Sequence, residues 1–174
     1  MVGLGIVNPK QAPRLARFPR HGKNVTLSSV RYSTQFQMAF SGSFAVDGIY
    51  HPPQDDARVS MAQTNKENNP WLRVDLQKMH CIWAVRILNR GDAQHQNTVE
   101  RLRDVIITAA NTEEELFYQV YPKSFCAEFK GILNQYFTTI TCIQPMRAQF
   151  VQLQMFSNDF LHIYEFEVHG FSRE

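Results

Sequence analysis

The chain has 174 residues, of which 44% are hydrophobic and 12% aromatic, and its formal net charge is +2. A chain of this length buries about two thirds of its extended surface, so one domain needs neither a metal nor dense cross-linking to fold. The apolar residues occur in runs of about four to eight, too short to cross a bilayer as a helix, which predicts a soluble protein.

Residues 1–23 form a basic segment that contains no acidic residue. Its charges come from Lys10, Arg14, Arg17, Arg20 and Lys23, whereas the rest of the chain has more acidic than basic residues. Spaced charges among Pro and Gly are typical of a solvated arm, so we predict a flexible segment at 1–23 and a folded domain at 24–174. The first residues lack the pattern of a secretory signal, which leaves a trimmed signal and a cytosolic protein as alternatives.

From residue 24 onward, apolar and polar residues alternate with period two, which predicts β-strands. The sequence contains no long helical stripe and no internal repeat. The pattern therefore predicts an all-β protein, an antiparallel sandwich whose two faces pack on one core. The predicted strands are 71–76, 81–88, 105–109, 116–121, 137–143, 151–155 and 164–168, with a turn or short helix at 112–115.

A long irregular segment at 41–69 precedes the first of these strands. Such segments inside a compact domain are usually functional or held in place by a ligand. Calcium binds six to eight oxygens, including backbone carbonyls and one or two carboxylates. Asp47 in this segment and Glu165, on the expected outward face of the last strand, are candidate carboxylates for such an ion.

Three cysteines bear on the compartment of the protein. Cys126 and Cys142 have 15 residues between them, and a bridge there would remove about 3 kcal/mol of chain entropy from the unfolded state. Spacing alone leaves their pairing open. Cys81 lies in an apolar strand and is expected to behave as a small buried residue. The glycosylation sequon Asn24-Val25-Thr26 favours a secreted protein.

Four segments carry the most specific pattern of the chain. They are Phe44-Ala45-Val46-Asp47-Gly48, the run 64–76, Asn89-Arg90-Gly91-Asp92, and Tyr164-Glu165-Phe166-Glu167-Val168. In this order and at these spacings, over residues 24–171, they resemble the F-type lectins, or fucolectins. The resemblance implies a jelly-roll β-sandwich of the discoidin type with about eight strands. It also implies binding of terminal L-fucose at one end of the barrel and a structural calcium ion nearby.

The resemblance also assigns calcium ligands and cysteine pairing. Two family cysteines near the metal are replaced here by Met61 and Tyr164, which predicts an apolar contact in place of a bond. Cys126 and Cys142 match another family disulfide, so the resemblance implies that they are bonded and that the protein is secreted. The implied calcium ligands are the carbonyls of Phe44, Ile49 and Tyr164, the carboxylates of Asp47 and Glu165, and Ser60 through its hydroxyl and carbonyl.

The implied fucose site departs from the family pattern in several places. Arg90 and Asp92 match the family's Arg-x-Asp, whereas Gln63 stands where the family has a histidine. In the family a second Arg or Lys follows the Arg-x-Asp. Arg101 takes that place if the loop after Asp92 is longer here than in the family. The adjacent cysteines that form an apolar platform under the sugar are absent. The predicted sugar contacts are therefore Gln63, Arg90 and Arg101, with Asp92 orienting the guanidinium groups.

Three functions remain as alternatives. The first is a calcium-stabilised lectin for fucose or a related glycan, with altered affinity or specificity. The second is a protein-interaction module on the same sandwich with a degraded sugar site. The third is a lipid-surface binder of the wider discoidin type, which would need exposed apolar loop tips, with Met38, Phe40 and Phe44 as candidates.

Other classes of function find little support in the sequence. There is no Gly-rich phosphate loop and no nucleophile elbow, so we do not predict an enzyme. The expected partners are glycans or glycoproteins and not nucleic acid. The oligomeric state is left open, although a homo-oligomer would gain avidity by clustering several sugar sites.

Overall fold

A computed structural model of the chain describes residues 16–17, 24–50, 61–90, 96–117 and 119–171. Within these residues the helical elements are short, namely α1 (Gln96–Val99) and single turns of 3-10 helix at Gly42–Val46, Glu114–Leu116 and Pro122–Ser124. None of the described helices is both long and apolar enough to cross a lipid bilayer. The strands are β1 (Ala16–Arg17), β2 (Asn24–Leu27), β3 (Tyr32–Ser33), β4 (Met38–Ala39), β5 (Ala62–Gln63), β6 (Glu67–Asn68), β7 (Trp71–Asn89), β8 (Arg103–Ala110), β9 (Phe125–Ile132), β10 (Phe137–Met155), β11 (Asn158–Asp159) and β12 (His162–Phe171).

Two long strands, β7 and β10, run through both layers of an antiparallel sandwich. Hydrogen bonds connect the strands in the order β1-β12-β7-β10-β8-β9, with β2 on β7 and β5 on β12. The first part of β7 pairs with β2 and with the end of β10, whereas its second part pairs with β12 and with the start of β10. The layers separate where β7 turns at Gln77, whose φ is 68°, and where the β10 register shifts between Thr141 and Met146.

The apolar side chains of both layers meet in one core. Leu72, Ile87, Ile107 and Leu153 are among its fully buried members. Burying a side chain of this size contributes roughly 1.5–3 kcal/mol relative to leaving it exposed, so the core supplies the main stabilising term. The predicted antiparallel β-sandwich is therefore confirmed.

A disulfide bond between Cys126 and Cys142 closes one edge of the sandwich. Cys126 lies on β9, at the edge of one layer, and Cys142 lies on the first part of β10, in the other layer. Both cysteines are buried. The predicted pairing is thus confirmed, and the bond joins the two layers where no hydrogen-bond ladder connects β9 to β10 among the described residues.

Most of the predicted strands form, but one does not, and one long strand was missed together with the short strands β1 to β6 and β11. The strand predicted at 116–121 is wrong, because the amides of Val120 and Tyr121 donate to the nearby Phe117 carbonyl and close a local turn. The missed long strand is β9, where Gly131 and two charged residues weaken the apolar pattern. The turn or short helix predicted at 112–115 corresponds to the 3-10 helix Glu114–Leu116.

Two further expectations concern the arm and the free cysteine. Two residues of the basic segment, Ala16–Arg17, pair with β12, while the other residues of 1–23 lie outside the described part of the chain, so the boundary at 24 stays a prediction. Cys81 is half-buried and not buried as expected. It lies close to the turn of β7, opposite Arg147 and Phe171, where the layers splay apart.

Candidate functional site

One end of the sandwich gathers three of the four predicted sugar-site residues. Gln63 lies on β5, Arg90 follows the end of β7, and Arg101 precedes β8. The start of β12 lies at the same end because it pairs with β5 and with the end of β7. The fourth residue, Asp92, lies outside the described residues.

A buried histidine lies directly beside Gln63. His162 is the register partner of Gln63 in the β5–β12 ladder and is fully buried. Residues directly opposite in an antiparallel pair place their side chains on the same face with Cβ atoms about 4.5–5.5 Å apart. An imidazole therefore lies beside position 63, the position at which the resemblance implies a histidine in the family.

The His162 ring is bound to the loop that carries Arg101. Its Nε2 atom lies 2.9 Å from the carbonyl oxygen of Thr98 in α1. Because a carbonyl only accepts hydrogen bonds, Nε2 carries the proton of the neutral ring and Nδ1 is unprotonated. The same Thr98 carbonyl accepts from the backbone N–H of Arg101, at 3.3 Å. Asn89 secures the loop further by donating its Nδ2 group to the Val99 carbonyl at 3.0 Å.

The charges of the site act on this histidine. Burial is the main cause that lowers the pKa of His162 to about 3; the positive charges of Arg90 and Arg101 act in the same direction, and the Thr98 bond opposes them. Both arginines therefore lie within electrostatic range of one imidazole. The ring stays neutral at physiological pH and adds no charge to the site.

This low pKa predicts a pH-dependent stability. Unfolded histidine titrates near 6.5, so between that pH and about 3 the unfolded chain binds a proton that the folded chain excludes, and stability falls as the pH falls. Between pH 7 and 5 this single group removes about 2 kcal/mol of unfolding free energy. Urea unfolding at both pH values should show a smaller loss for His162→Gln than for the wild type. If both proteins lost the same unfolding free energy between the two pH values, the low pKa of His162 would not be its cause.

Arg101 lies in a cluster that the sequence did not reveal. Its Nε atom is 3.8 Å from Oδ1 of Asp159, and its guanidinium carbon is 5.2 Å from the ring centre of Phe160. The guanidinium of Arg31 lies 4.9 Å from the same ring. Arg31 is in turn joined to the predicted site, because its backbone N–H donates to the Gln63 carbonyl at 3.0 Å.

Burial differs among the predicted sugar contacts. Gln63 and Arg90 are only 5% and 6% exposed, whereas the Arg101 side chain is 34% exposed. Arg101 therefore offers the more accessible of the two guanidinium groups. Sequence reasoning missed His162 and Phe160. The one local signal was a histidine where an apolar residue is expected, two positions before Tyr164 on the inward side of the last strand.

The candidate calcium site lies around the turn at residues 47–49. The backbone N–H of Gly48 donates to Oε1 of Glu165, and the N–H of Ile49 donates to Oδ1 of Asp47 at 2.8 Å. Both carboxylates thus accept hydrogen bonds from the backbone of the same short turn. Glu165, expected on the outward face of β12, is fully buried because the 3-10 helix Gly42–Val46 packs over that face.

The remaining predicted calcium ligands are partly described. Phe44, Ile49 and Tyr164 belong to the same region as the two carboxylates, and Ser60 lies outside the described residues. Among described side chains, no group of three or more His, Cys, Asp or Glu residues converges on one point. Two carboxylates supplemented by backbone carbonyls nevertheless match the oxygen-rich donor set that calcium prefers.

Met61 and Tyr164, the positions where the resemblance implies a cysteine pair in the family, lie in one apolar cluster. Met61 and Tyr164 are 2% and 1% exposed and belong to one cluster with Phe40 and Leu88. The cluster holds the segment before β5 against β12 without a covalent bond. This is the arrangement that the paired loss of the two family cysteines predicts.

Comparison with known proteins places the chain among lectins. Residues 44–153 match the model of the NedA-like, galactose-binding domain family. Fucolectin-1 of Anguilla japonica is 29% identical over 127 residues, which cover 73% of this chain and 66% of the fucolectin. The F-lectin (fucolectin) from serum of striped bass, Morone saxatilis, has a TM-score of 0.71 at 25% identity, covering 89% of this chain and 49% of that one. The lectin domain of lectinolysin, solved with Lewis B antigen, has a TM-score of 0.69 at 24% identity, and the match covers 89% of this chain and 97% of that one.

These matches agree with the resemblance noted in the sequence. The family match covers more than half of the chain, and the chain spans about two thirds of the length of Fucolectin-1. Such domains are binding modules, which confirms the prediction that the domain is not an enzyme. The chain therefore belongs to the NedA-like, galactose-binding domain family, as a lectin domain of the fucolectin type.

Proposed function

We propose that the domain binds terminal fucose or a related sugar at the end of the sandwich formed by Gln63, Arg90 and Arg101. The observation that carries this proposal is that Gln63, Arg90 and the loop of Arg101 meet at the start of β12, where His162 pairs with Gln63 and bonds to the Thr98 carbonyl. Guanidinium groups present several donors in a rigid fork, which suits the vicinal hydroxyls and ring oxygen of a sugar. The relatives named fucolectin and the lectinolysin domain solved with Lewis B antigen support the same ligand class.

Aromatic surface beside Arg101 supports a sugar ligand with altered specificity. The half-buried ring of Phe160 lies next to the guanidinium groups of Arg101 and Arg31. The family's cysteine platform is absent here, and an aromatic ring is the other common apolar partner for the C–H face of a sugar. The exchange of a family histidine for Gln63 also changes the hydrogen-bonding pattern, so a preference different from that of the relatives follows.

The proposal predicts that Arg90→Lys weakens binding of methyl α-L-fucoside at least tenfold while the fold is kept. Lysine retains the charge but loses the guanidinium fork, and hydrogen bonds to charged groups contribute about 1.5–3 kcal/mol each. The affinity is measured by titration calorimetry with calcium present. Arg147→Lys is the matched control, because Arg147 is exposed at the opposite end of the sandwich and should bind as the wild type does.

A glycan array tests the wider proposal with the same protein. Binding to fucosylated or related glycans is expected in the presence of calcium. An array without any bound glycan, together with a folded protein, would contradict the lectin function. Equal fucoside affinity in Arg90→Lys and the wild type would instead contradict the assignment of the site.

A protein-interaction module is the second candidate function. The observation that favours it is an exposed apolar surface on the segment before β9, where Phe117, Val120 and Tyr121 are 49%, 69% and 43% exposed. A groove of about 580 Å³ adjoins this segment and is lined in part by Tyr121 and Met146. If no glycan binds, this surface is the place to seek a protein partner by cross-linking.

The lipid-binding alternative loses its support in the structure. It needs exposed apolar loop tips, yet Phe40 is only 3% exposed and packs in the cluster with Met61 and Tyr164. Met38 and Phe44 are half-buried. These three side chains therefore offer little apolar area to a membrane surface.

We also infer a structural calcium ion and an extracellular location. The buried Glu165 and nearby Asp47 support the ion, since a buried carboxylate is costly unless a cation or donors balance its charge. The Cys126–Cys142 bond and the exposed sequon residue Asn24 support an oxidising compartment outside the cell. Finding three reduced thiols in the natural protein would contradict this location.

A further inference from the structure

His162 is connected to each element that carries a predicted sugar contact. It pairs with Gln63 of β5 in the ladder, and its charge environment is set by Arg90 and Arg101. Its Nε2 atom is hydrogen-bonded to the Thr98 carbonyl in the loop before β8. The side chain itself is fully buried, so it lies behind the site and not on its surface.

The loop that carries Arg101 depends on side chains from outside it. Helix α1 has four residues, far fewer than the ~12 that an isolated helix needs for marginal stability. The described anchors are the bond from Asn89 to the Val99 carbonyl, the bond from His162 to the Thr98 carbonyl and the ion pair between Arg101 and Asp159. Of these, only the His162 bond comes from the strand that pairs with Gln63.

The Thr98 carbonyl links His162 to Arg101 by two hydrogen bonds. It accepts from Nε2 of His162 at 2.9 Å and from the backbone N–H of Arg101 at 3.3 Å. Removing the imidazole leaves this carbonyl without its partner from β12. The loop then keeps the bond from Asn89 and the ion pair with Asp159, but it loses its hydrogen bond to the strand that pairs with Gln63.

We propose that His162 is a positioning residue of the carbohydrate site, which holds the Thr98 carbonyl and thereby sets the distance of Arg101 from Gln63 and Arg90. This inference rests on the proposed function of that site. In this arrangement Gln63 stands at the position that faces the ligand, and the imidazole lies on the neighbouring strand β12. Gln63 contacts the sugar, and His162 fixes the position of Arg101.

The test compares His162→Leu with His162→Gln in the full chain. Leucine has a similar volume but no donor, whereas glutamine can donate its Nε2 group to the same carbonyl. Amide hydrogen exchange by mass spectrometry should become at least tenfold faster at residues 96–102 in the leucine variant, with the strand peptides unchanged. Affinity for methyl α-L-fucoside should fall about tenfold in the same variant, which corresponds to about 1.4 kcal/mol.

The glutamine variant separates positioning from a merely structural role. Its exchange at 96–102 and its fucoside affinity should return to within threefold of the wild type. His169→Gln is the matched control, since His169 lies on the same strand but binds Glu167 away from the site. It should leave both measurements unchanged.

Two outcomes would overturn the inference. One is unchanged exchange at 96–102 in the leucine variant, and the other is faster exchange over the whole sandwich, which would show a general loss of stability. If the wild type itself binds no fucoside, the proposed function fails, while the exchange measurement still decides whether His162 orders the loop.

Discussion

Replacement of both Cys126 and Cys142 by alanine should lower the unfolding free energy by about 3 kcal/mol. The bond closes a loop with a sequence separation of 16, and a cross-link of this length stabilises mainly by restricting the unfolded chain. For a domain of this size the loss corresponds to a decrease of about 6–12 °C in the melting temperature. Urea and thermal unfolding of the oxidised proteins measure it.

Cys81→Ala is the control for this prediction. Cys81 is not bonded and is half-buried, so its replacement should change stability by less than about 1 kcal/mol. Reduction of the wild type should reproduce the double variant, because both release the same constraint. A double variant as stable as the oxidised wild type would show that the bond between the layers contributes nothing.

Local patterns in the sequence predicted most of the sandwich. Alternation with period two identified the parts of β7, β8, β10 and β12 because side chains of successive residues point to opposite faces. The same rule failed at 116–121. There Phe117, Val120 and Tyr121 remain exposed on a turn, and no local property of the sequence distinguishes such a turn from a short strand.

The side of a strand that faces solvent depends on distant parts of the chain. Alternation put Glu165 on the outer face of β12, and the side chain does leave the main core. The residue is nevertheless buried, because the 3-10 helix Gly42–Val46 packs there, more than one hundred residues earlier in the chain. Burial by a separate segment leaves no periodic signal in the strand itself.

The candidate sugar site shows the same limit. The resemblance to the family predicted Gln63 and Arg90 from their spacing, and Arg101 on the premise of a longer loop before it. His162 and Phe160 join them only through the register between β5 and β12 and through the fold of β11. Such register is set by pairing between distant segments, so a single sequence does not reveal it.

Removal of calcium should lower the melting temperature by about 5–10 °C. A ligand that binds only the folded state stabilises it by about 2.7 kcal/mol when its concentration is one hundred times its dissociation constant, and about 1 kcal/mol shifts the melting temperature of such a domain by 2–4 °C. Thermal unfolding is recorded with millimolar calcium and then with excess EDTA. An unchanged curve would contradict the proposed ion and its carboxylates.

Glu165→Gln should abolish the calcium response and leave the apo fold close to that of the wild type. Glutamine keeps an oxygen that can accept from the Gly48 N–H but loses the negative charge that a divalent cation requires. Glu167→Gln is the matched control, because Glu167 is also buried on β12, yet its partners are Tyr50, Arg86 and His169. It should retain the full calcium-dependent shift. If both variants responded to calcium as the wild type does, Glu165 would not be a ligand, and the buried carboxylate would serve only to hold the turn at Gly48.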